Sequence, residues 1–260
     1  MIIDVNTYIG HWPFRRLRYG TARGLIRLMD RAGIDVAVVS PLNSVFYVDP
    51  QEGNLELSEQ LKSYGGRLVP LACVNPSNPS WEEDLEYCVE ELGARGVRLH
   101  PNYHCYDLLE GCTLKLVRKA ADMGLPIFIS MRMEDERRSH WLVRVHPVPV
   151  RKVAELIRRF PEVSFVLTYI HYGEAEDLAN LCPGMGNFFV DVSSHYLTSV
   201  YPDWLEKLAG MIGAGRILLG SQMPFQYPET ALLKVRLSEL EDQDKEKILG
   251  ENAAKILQLY

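Results

Sequence analysis

An α/β fold, a single (β/α)8 barrel over residues 1–260, is what this sequence predicts, on three observations. Short β-branched runs recur at Ile2–Asn6, Asp35–Ser40, Leu68–Val74, Gly96–His100, Pro126–Ser130, Ser164–His171, Phe188–Val192 and Arg216–Gly220. Their starts lie about 30 residues apart, the length of one strand-plus-helix unit. Amphipathic stretches fill the intervals, and hydrophobic strands alternating with such helices imply a parallel sheet covered on its faces. No Pro- or Ser-rich linker divides the 260 residues, a length that barrels of this class occupy as one domain.

Local signals support the elements in turn. Leu25, Leu28, Met29 and Ala32 fall at i, i+3, i+4 and i+7 and predict a helix stopped by Gly33. Leu42–Gly53 reads as the one helix-poor stretch. Ser80-Trp81-Glu82-Glu83 has the form of a capping box ahead of Leu85, Cys88, Val89 and Leu92. Val150 to Phe160 is helical and ended by Pro161, and Asp242 is placed to cap a last helix whose apolar face is Ile248, Ala253, Ile256 and Leu257. Gly10-His11-Trp12 after the first strand lacks the GxGxxG fingerprint, and no Walker lysine is present, so dinucleotide and P-loop folds lose support.

Composition excludes several function classes. With 47% hydrophobic and 24% charged residues the chain is neither disordered nor coiled coil. Its formal charge of −6 offers no broad basic field, so no nucleic-acid partner is expected. No apolar run approaches the roughly 18 residues of a spanning helix, since even Val163–Ile170 is broken by Ser164 and Thr168, and no membrane partner is expected. Met1-Ile2-Ile3-Asp4 carries no basic leader, and five cysteines without a CxxC pair argue for reduced thiols and a cytoplasmic location.

Functional groups of such barrels sit at the C-terminal strand ends and on the loops that follow. That rule collects Asn6 and Tyr8 from the first strand, and Arg98, His100 and the loop residue His104 from the fourth. The fifth contributes Ser130 and then Arg132, Glu134, Asp135, Glu136, Arg137 and His140; the sixth ends at His171 and the eighth at Gln222. Histidine serves as acid or base near neutral pH, and tyrosine donates to a developing oxyanion. Arginine clamps a carboxylate through two parallel bonds. The expected catalytic group is therefore His171, Tyr8, His100 and Arg98 converging on the barrel axis. Asn6, His11, Trp12, His104, Arg132, Asp135, Arg137, His140 and Gln222 are the expected substrate-binding residues. Arg15, Arg16 and Arg18 add positive charge beside them and favour a small anionic ligand.

Four segments in order resemble the amidohydrolase-related family, metal-dependent barrel hydrolases and decarboxylases that include aminocarboxymuconate semialdehyde decarboxylase. They are Met1–Gly10, similar to that family's IDxHxHxG opening, Leu92–Pro101, Arg216–Pro224, similar to its RILFGSDxP, and Glu251–Leu257, similar to its closing helix. The resemblance implies an amidohydrolase-like barrel. It also places the family's metal ligands on Asn6, Tyr8, Ser130, His171 and Gln222, of which only His171 keeps the expected residue type. Zinc prefers imidazole, thiolate or carboxylate donors, so no metal and no other cofactor is expected, with zinc on altered ligands as the alternative. His100, His104, Cys105 and Cys112 lie close in sequence but match no standard zinc spacing.

Bland readings stand beside these. His171 is equally a core histidine bonded to Tyr8 or Gln222, Arg98 a structural ion pair with a loop carboxylate, and Glu134–Arg138 a solvated charge run. Trp12 and Phe14 wall a pocket or seal an interface, and Val45-Phe46-Tyr47-Val48 offers a surface for a homodimer. Three functions follow: a small carboxylated molecule bound, and hydrolysed or cleaved at a C–C bond without metal; a catalytically silent barrel kept for binding or assembly; or a metal enzyme with altered ligands. A mouth filled by Tyr8, Trp12 or Phe14 is the mark of the silent barrel.

Overall fold

The computed structural model describes residues 1–135, 137, 139–194 and 203–259. Glu136, a candidate carboxylate of the loop after the fifth expected strand, lies outside them. Parallel strands run in chain order around the barrel: β1 (Ile3–Ile9), β2 (Val36–Pro41), β3 (Leu68–Pro70), β4 (Ala72–Cys73), β5 (Val97–Leu99), β6 (Ile127–Ser130), β7 (Phe165–Thr168), β8 (Phe188–Asp191) and β9 (Ile217–Leu218). The sheet closes because β1 bonds back to the last strand and its extension. Val5 N–H donates to Leu219 O at 2.9 Å, Gln222 N–H to Asn6 O at 2.7 Å and Tyr8 N–H to Met223 O at 2.8 Å.

The run expected over Leu68–Val74 is divided. Its first part pairs with β2 and its second with β5, while Leu71 N–H reaches Val39 O at 2.9 Å. Pro70 has no N–H to continue the ladder, so the regular pairing stops there. The run expected over Ser164–His171 ends at Thr168, because Tyr169 turns into the left-handed region at φ 55°.

The helices are α1 (Ala22–Ala32), α2 (Pro50–Leu61), α3 (Trp81–Glu90), α4 (Gly111–Asp122), α5 (Val150–Arg159), α6 (Tyr172–Leu181), α7 (Trp204–Ile212), α8 (Pro228–Arg236), α9 (Asp242–Glu246) and α10 (Asn252–Leu257). Thr21 Oγ1 caps Gly24 N–H of α1, and Gly33 at φ 72° ends it as expected. Helix α2 begins inside the stretch read as helix-poor: the Asp49 carboxylate accepts from Gln51 N–H and Pro50 opens the first turn. The capping box at Ser80 does not form. Its backbone lies at φ −89°, ψ 7°, away from the extended geometry a cap requires, and its hydroxyl bonds Asp84 instead. Glu241, not Asp242, stands at the cap of α9, and Asp242 sits in the first turn.

Two apolar layers result from the two-residue strand period. Ala37, Val39, Val97, Leu99, Ile127, Ile129, Phe165 and Leu167 face outward into the helical shell. Ile3, Val5, Val36, Val38, Phe128, Val166 and Leu218 fill the lumen, which α10 closes from below with Ala253, Ala254 and Leu257. No helix among the described residues is long and apolar enough to cross a membrane.

Candidate functional site

Above the apolar lumen lies a polar layer centred on Arg98. Its side chain is fully buried, and the guanidinium bonds neutral oxygens from four strand ends: Nε to Ser40 Oγ at 2.8 Å, one terminal nitrogen to Thr168 Oγ1 at 2.7 Å and Ser130 Oγ at 3.3 Å, and the other to Asn6 Oδ1 at 3.4 Å. It stands 5.3 Å from the Tyr8 ring and 5.4 Å from that of Phe128. Among the described residues Arg98 makes no ion pair with a loop carboxylate: Glu134 accepts from Trp12 Nε1 at 2.9 Å and Arg15 Nε at 2.8 Å. The link from Arg98 to an anion runs through Asn6, whose amide donates to Asp191 at 2.9 Å and Ser193 at 3.2 Å.

Asp191 and Asp4 are both buried carboxylates. Tyr169 N–H and the Ser193 hydroxyl donate to Asp191, at 2.9 and 2.8 Å, yet burial holds its carboxyl above the usual range. Gly220 is required beside it, since a Cβ there would sit 2.3 Å from the Asp191 carboxylate. Burial raises Asp4 to about 7, against donation from Asn6 N–H at 3.1 Å and Ser221 N–H at 3.0 Å, while its second oxygen has no partner among the described residues.

A carboxyl raised in the fold binds its proton more tightly there than in the unfolded chain. Its contribution is therefore greatest below about pH 4 and is lost as the pH rises towards 7, by roughly 4 kcal/mol in all. Asp4→Asn is expected to abolish this loss, so that its stability advantage over the wild type grows between pH 4 and 7 and then levels off. Urea unfolding of both proteins across that range checks it; a constant difference refutes it.

His100 and His104 lie beside this layer, their rings 5.8 Å apart and His100 6.5 Å from Tyr8. Neither ring nitrogen of His100 has a partner among the described residues, nor has His104 Nδ1 or the Tyr106 hydroxyl. His104 Nε2 reaches Ser44 O at 3.0 Å. Burial, with His104 and Arg98 nearby, drives His100 well below its ordinary value and keeps it neutral. Burial likewise raises the Tyr8 phenol, opposed by Arg98.

An aromatic plug covers the polar layer. Trp12 is 1% exposed and packs within 5.1–6.3 Å of Phe14, Phe46, Tyr103 and Phe225, with Tyr8 beneath at 5.8 Å from Phe225. The cavity that reaches Ser130, Arg132 and Glu134 at this face has a volume of only about 20 Å³.

The structure brings together Arg98, Tyr8, Asn6 and His100, with His104 beside them. His171 is placed elsewhere. Because the chain turns at Tyr169, it becomes the residue before α6, where its Nδ1 meets Ser194 Oγ at 2.8 Å and its N–H donates to Glu174 at 2.8 Å. Its expected bonds to Tyr8 or Gln222 are thus replaced. Arg132 is not open as a carboxylate clamp, since both terminal nitrogens hold Glu174 and one also bonds Tyr169 O at 2.9 Å. Asp135 and Arg137 pair with each other at 2.7 Å, and Glu134 and Asp135 are buried, so the expected solvated charge run is not solvated at these two carboxylates. Gln222, at φ 62°, locks its amide to Met133 O at 2.6 Å and Gln226 at 2.7 Å. His11 is exposed, and His140 stacks on Phe14 at 5.6 Å.

Strand-end reasoning missed Asp191, Ser40 and Thr168. The same rule, extended to the ends of Asp35–Ser40 and Phe188–Val192, would have found the first two.

These donors do not suit a divalent metal. The Asn6 carbonyl and Ser130 hydroxyl accept from a buried cation, Gln222 is engaged at both ends of its amide, and His171 stands at the start of a helix. Among the described residues no three His, Cys, Asp or Glu side chains are grouped to hold an ion. Cys105 is exposed and contacts backbone oxygens of its own loop, and Cys112 contacts Glu110.

Comparison with known proteins agrees on the fold. The amidohydrolase family model matches residues 11–259. A curated relative, 2-amino-3-carboxymuconate-6-semialdehyde decarboxylase of Dictyostelium discoideum, is 21% identical over 281 residues, covering 90% of this chain and 76% of the relative. Among solved structures, a dihydroxybenzoic acid decarboxylase from Polaromonas sp. JS666, with bound manganese and the inhibitor 2-nitroresorcinol, superposes with a TM-score of 0.77 at 18% identity, over 99% of this chain and 97% of that one. The 5-carboxyvanillate decarboxylase of Sphingomonas paucimobilis gives 0.76 at 16%, over 100% and 99%.

Proposed function

The chain belongs to the amidohydrolase family, and from that membership we propose that it is a metal-independent member holding a small carboxylated molecule at the C-terminal face of its barrel, with Arg98 receiving the carboxylate. One observation carries this reading: a buried guanidinium at the barrel axis whose hydrogen-bond acceptors among the described residues are all neutral oxygens. Burying a cation without a counter-ion is unfavourable, and a carboxylate beside it relieves the cost. The two longest bonds, 3.3 Å to Ser130 and 3.4 Å to Asn6, come from the two terminal nitrogens, the pair that a carboxylate engages bidentately. Known relatives of similar fold carry decarboxylase names, and the Tyr8 and Phe225 rings, 5.8 Å apart, offer an aromatic surface to an acid.

His100, neutral and beside Tyr8, is a proton acceptor, and the Tyr8 phenol is a hydrogen-bond donor. This set suits binding of an acid and proton transfer at an adjacent atom, by C–C cleavage or hydrolysis. Of the expected catalytic group, this reading keeps Arg98, His100 and Tyr8 and leaves out His171; of the expected substrate-binding residues it leaves out Arg132 and Gln222. Entry of the ligand requires rearrangement of the mouth, because Trp12 packs there against Phe46 and Phe225 and the cavity that reaches Ser130 at this face is smaller than a benzoate.

Calorimetric titration of the chelator-treated wild type with 2,6-dihydroxybenzoate and with its carboxamide tests the reading. Binding of the acid at least about tenfold tighter than the amide is expected, from loss of a charge-assisted pair, with no change on restoring zinc or manganese. Equal affinities, or binding that appears only with metal, overturn it.

A second reading, the catalytically silent barrel, is favoured by the plug itself: Trp12 and its neighbours fill the mouth with ring contacts. It predicts that neither acid nor amide binds.

A further inference from the structure

The rim around the plug, which shares Phe14 and Phe46 with it, carries exposed apolar side chains. Phe46, Val48, Trp141 and Leu142 are 41%, 95%, 73% and 63% exposed, unusual for side chains of this size. Phe46, Trp141 and Leu142 form one surface, with Val48 two residues along the chain from Phe46. Phe46 lies 5.8 Å from Phe14, Phe14 stacks on His140, His140 lies 5.6 Å from Trp141, and Leu142 N–H donates to His140 Nδ1 at 3.3 Å. Exposed arginines flank it: Arg16 and Arg18 on the loop that bears Phe14, and Arg144 two residues beyond Leu142. None of the three makes an ion pair among the described residues. The contributing loops, residues 10–19, 42–48 and 139–149, contain no Asp or Glu, in a chain whose formal charge is −6.

We propose that this rim is a docking surface for an anionic lipid membrane, which the C-terminal face of the barrel meets from one side. Tryptophan and aliphatic side chains beside unpaired arginines complement a headgroup layer with an apolar interior, and no spanning helix is needed. Charge decides against a second copy as occupant. In an isologous pair about this patch, Arg16, Arg18 and Arg144 would face their own counterparts. Nucleic acid would engage the arginines but leave Val48 and Leu142 without a role. The proposal departs from the expectation of no membrane partner, which rested on the absence of long apolar runs. It is independent of what Arg98 binds.

Co-sedimentation of the whole protein with phosphatidylcholine vesicles, with and without phosphatidylserine, tests it. Binding is expected only to the phosphatidylserine vesicles, weakening as salt is raised. Trp141→Ser with Leu142→Ser, and separately Arg16→Gln with Arg18→Gln, are each expected to reduce partitioning by about tenfold. These exposed substitutions leave the melting temperature unchanged, which controls for folding. No binding, equal binding to both vesicles, or binding untouched by the substitutions overturns the proposal. So does a concentration-dependent dimer that the Trp141 and Leu142 changes abolish, or capture of an acidic protein segment by a rim that ignores vesicles.

Discussion

Arg98→Met is expected to destabilise the protein by about 2–4 kcal/mol, from buried acceptors left without their donor. The guanidinium is the shared donor for Ser40, Thr168, Ser130 and Asn6, which lie on β2, β7, β6 and β1. Methionine fills much of the volume but donates nothing, so four buried oxygens lose a partner, each at roughly 1–3 kcal/mol before relaxation. Part of that returns: the hydroxyls can turn towards one another or to Ile129 O, already 3.4 Å from Thr168 Oγ1, and a desolvated charge is removed. Arg98→Lys keeps the charge without the fork of donors and is expected to fall between. Urea midpoints measure all three proteins. A methionine variant as stable as the wild type would show that Arg98 contributes nothing net to the fold, which would leave ligand binding as the reason for its burial.

Trp12→Ala carries the second large effect. The indole is nearly inaccessible and sits at the centre of the ring cluster, so its loss is expected to cost about 3–5 kcal/mol in transfer and cavity terms. Glu134 keeps Arg15 as a partner, which limits the polar part of the cost. The same change opens the path to the polar layer. If Arg98 receives a carboxylate, 2,6-dihydroxybenzoate should associate faster with this variant than with the wild type, because the plug no longer has to move. In a silent barrel the variant loses stability and gains no affinity. Stopped-flow binding together with urea unfolding separates the two outcomes.

Much of the site was legible in the strand ends. Asn6, Tyr8, Arg98 and His100 follow from strand position alone, and the structure gathers them at one level of the lumen. Arg132 and Gln222 were legible as positions but not as environments, because their partners Glu174 and Met133 are 42 and 89 residues away. Asp191 lay at an end of the expected strand Phe188–Val192, where the reasoning was not applied. His171 failed for a local cause, the left-handed turn at Tyr169, whose N–H is held by Asp191 from the neighbouring strand.

The sequence by itself determined the alternation of strands and helices, because that depends on residue type and short-range period. Only the tertiary structure decided which oxygens Arg98 bonds, that Asn6 bridges it to Asp191 and that Trp12 closes the mouth. Those facts depend on which distant side chains meet in a lumen too narrow for alternatives. In such a space the pairing of buried donors and acceptors, rather than any local preference, sets where each group comes to rest.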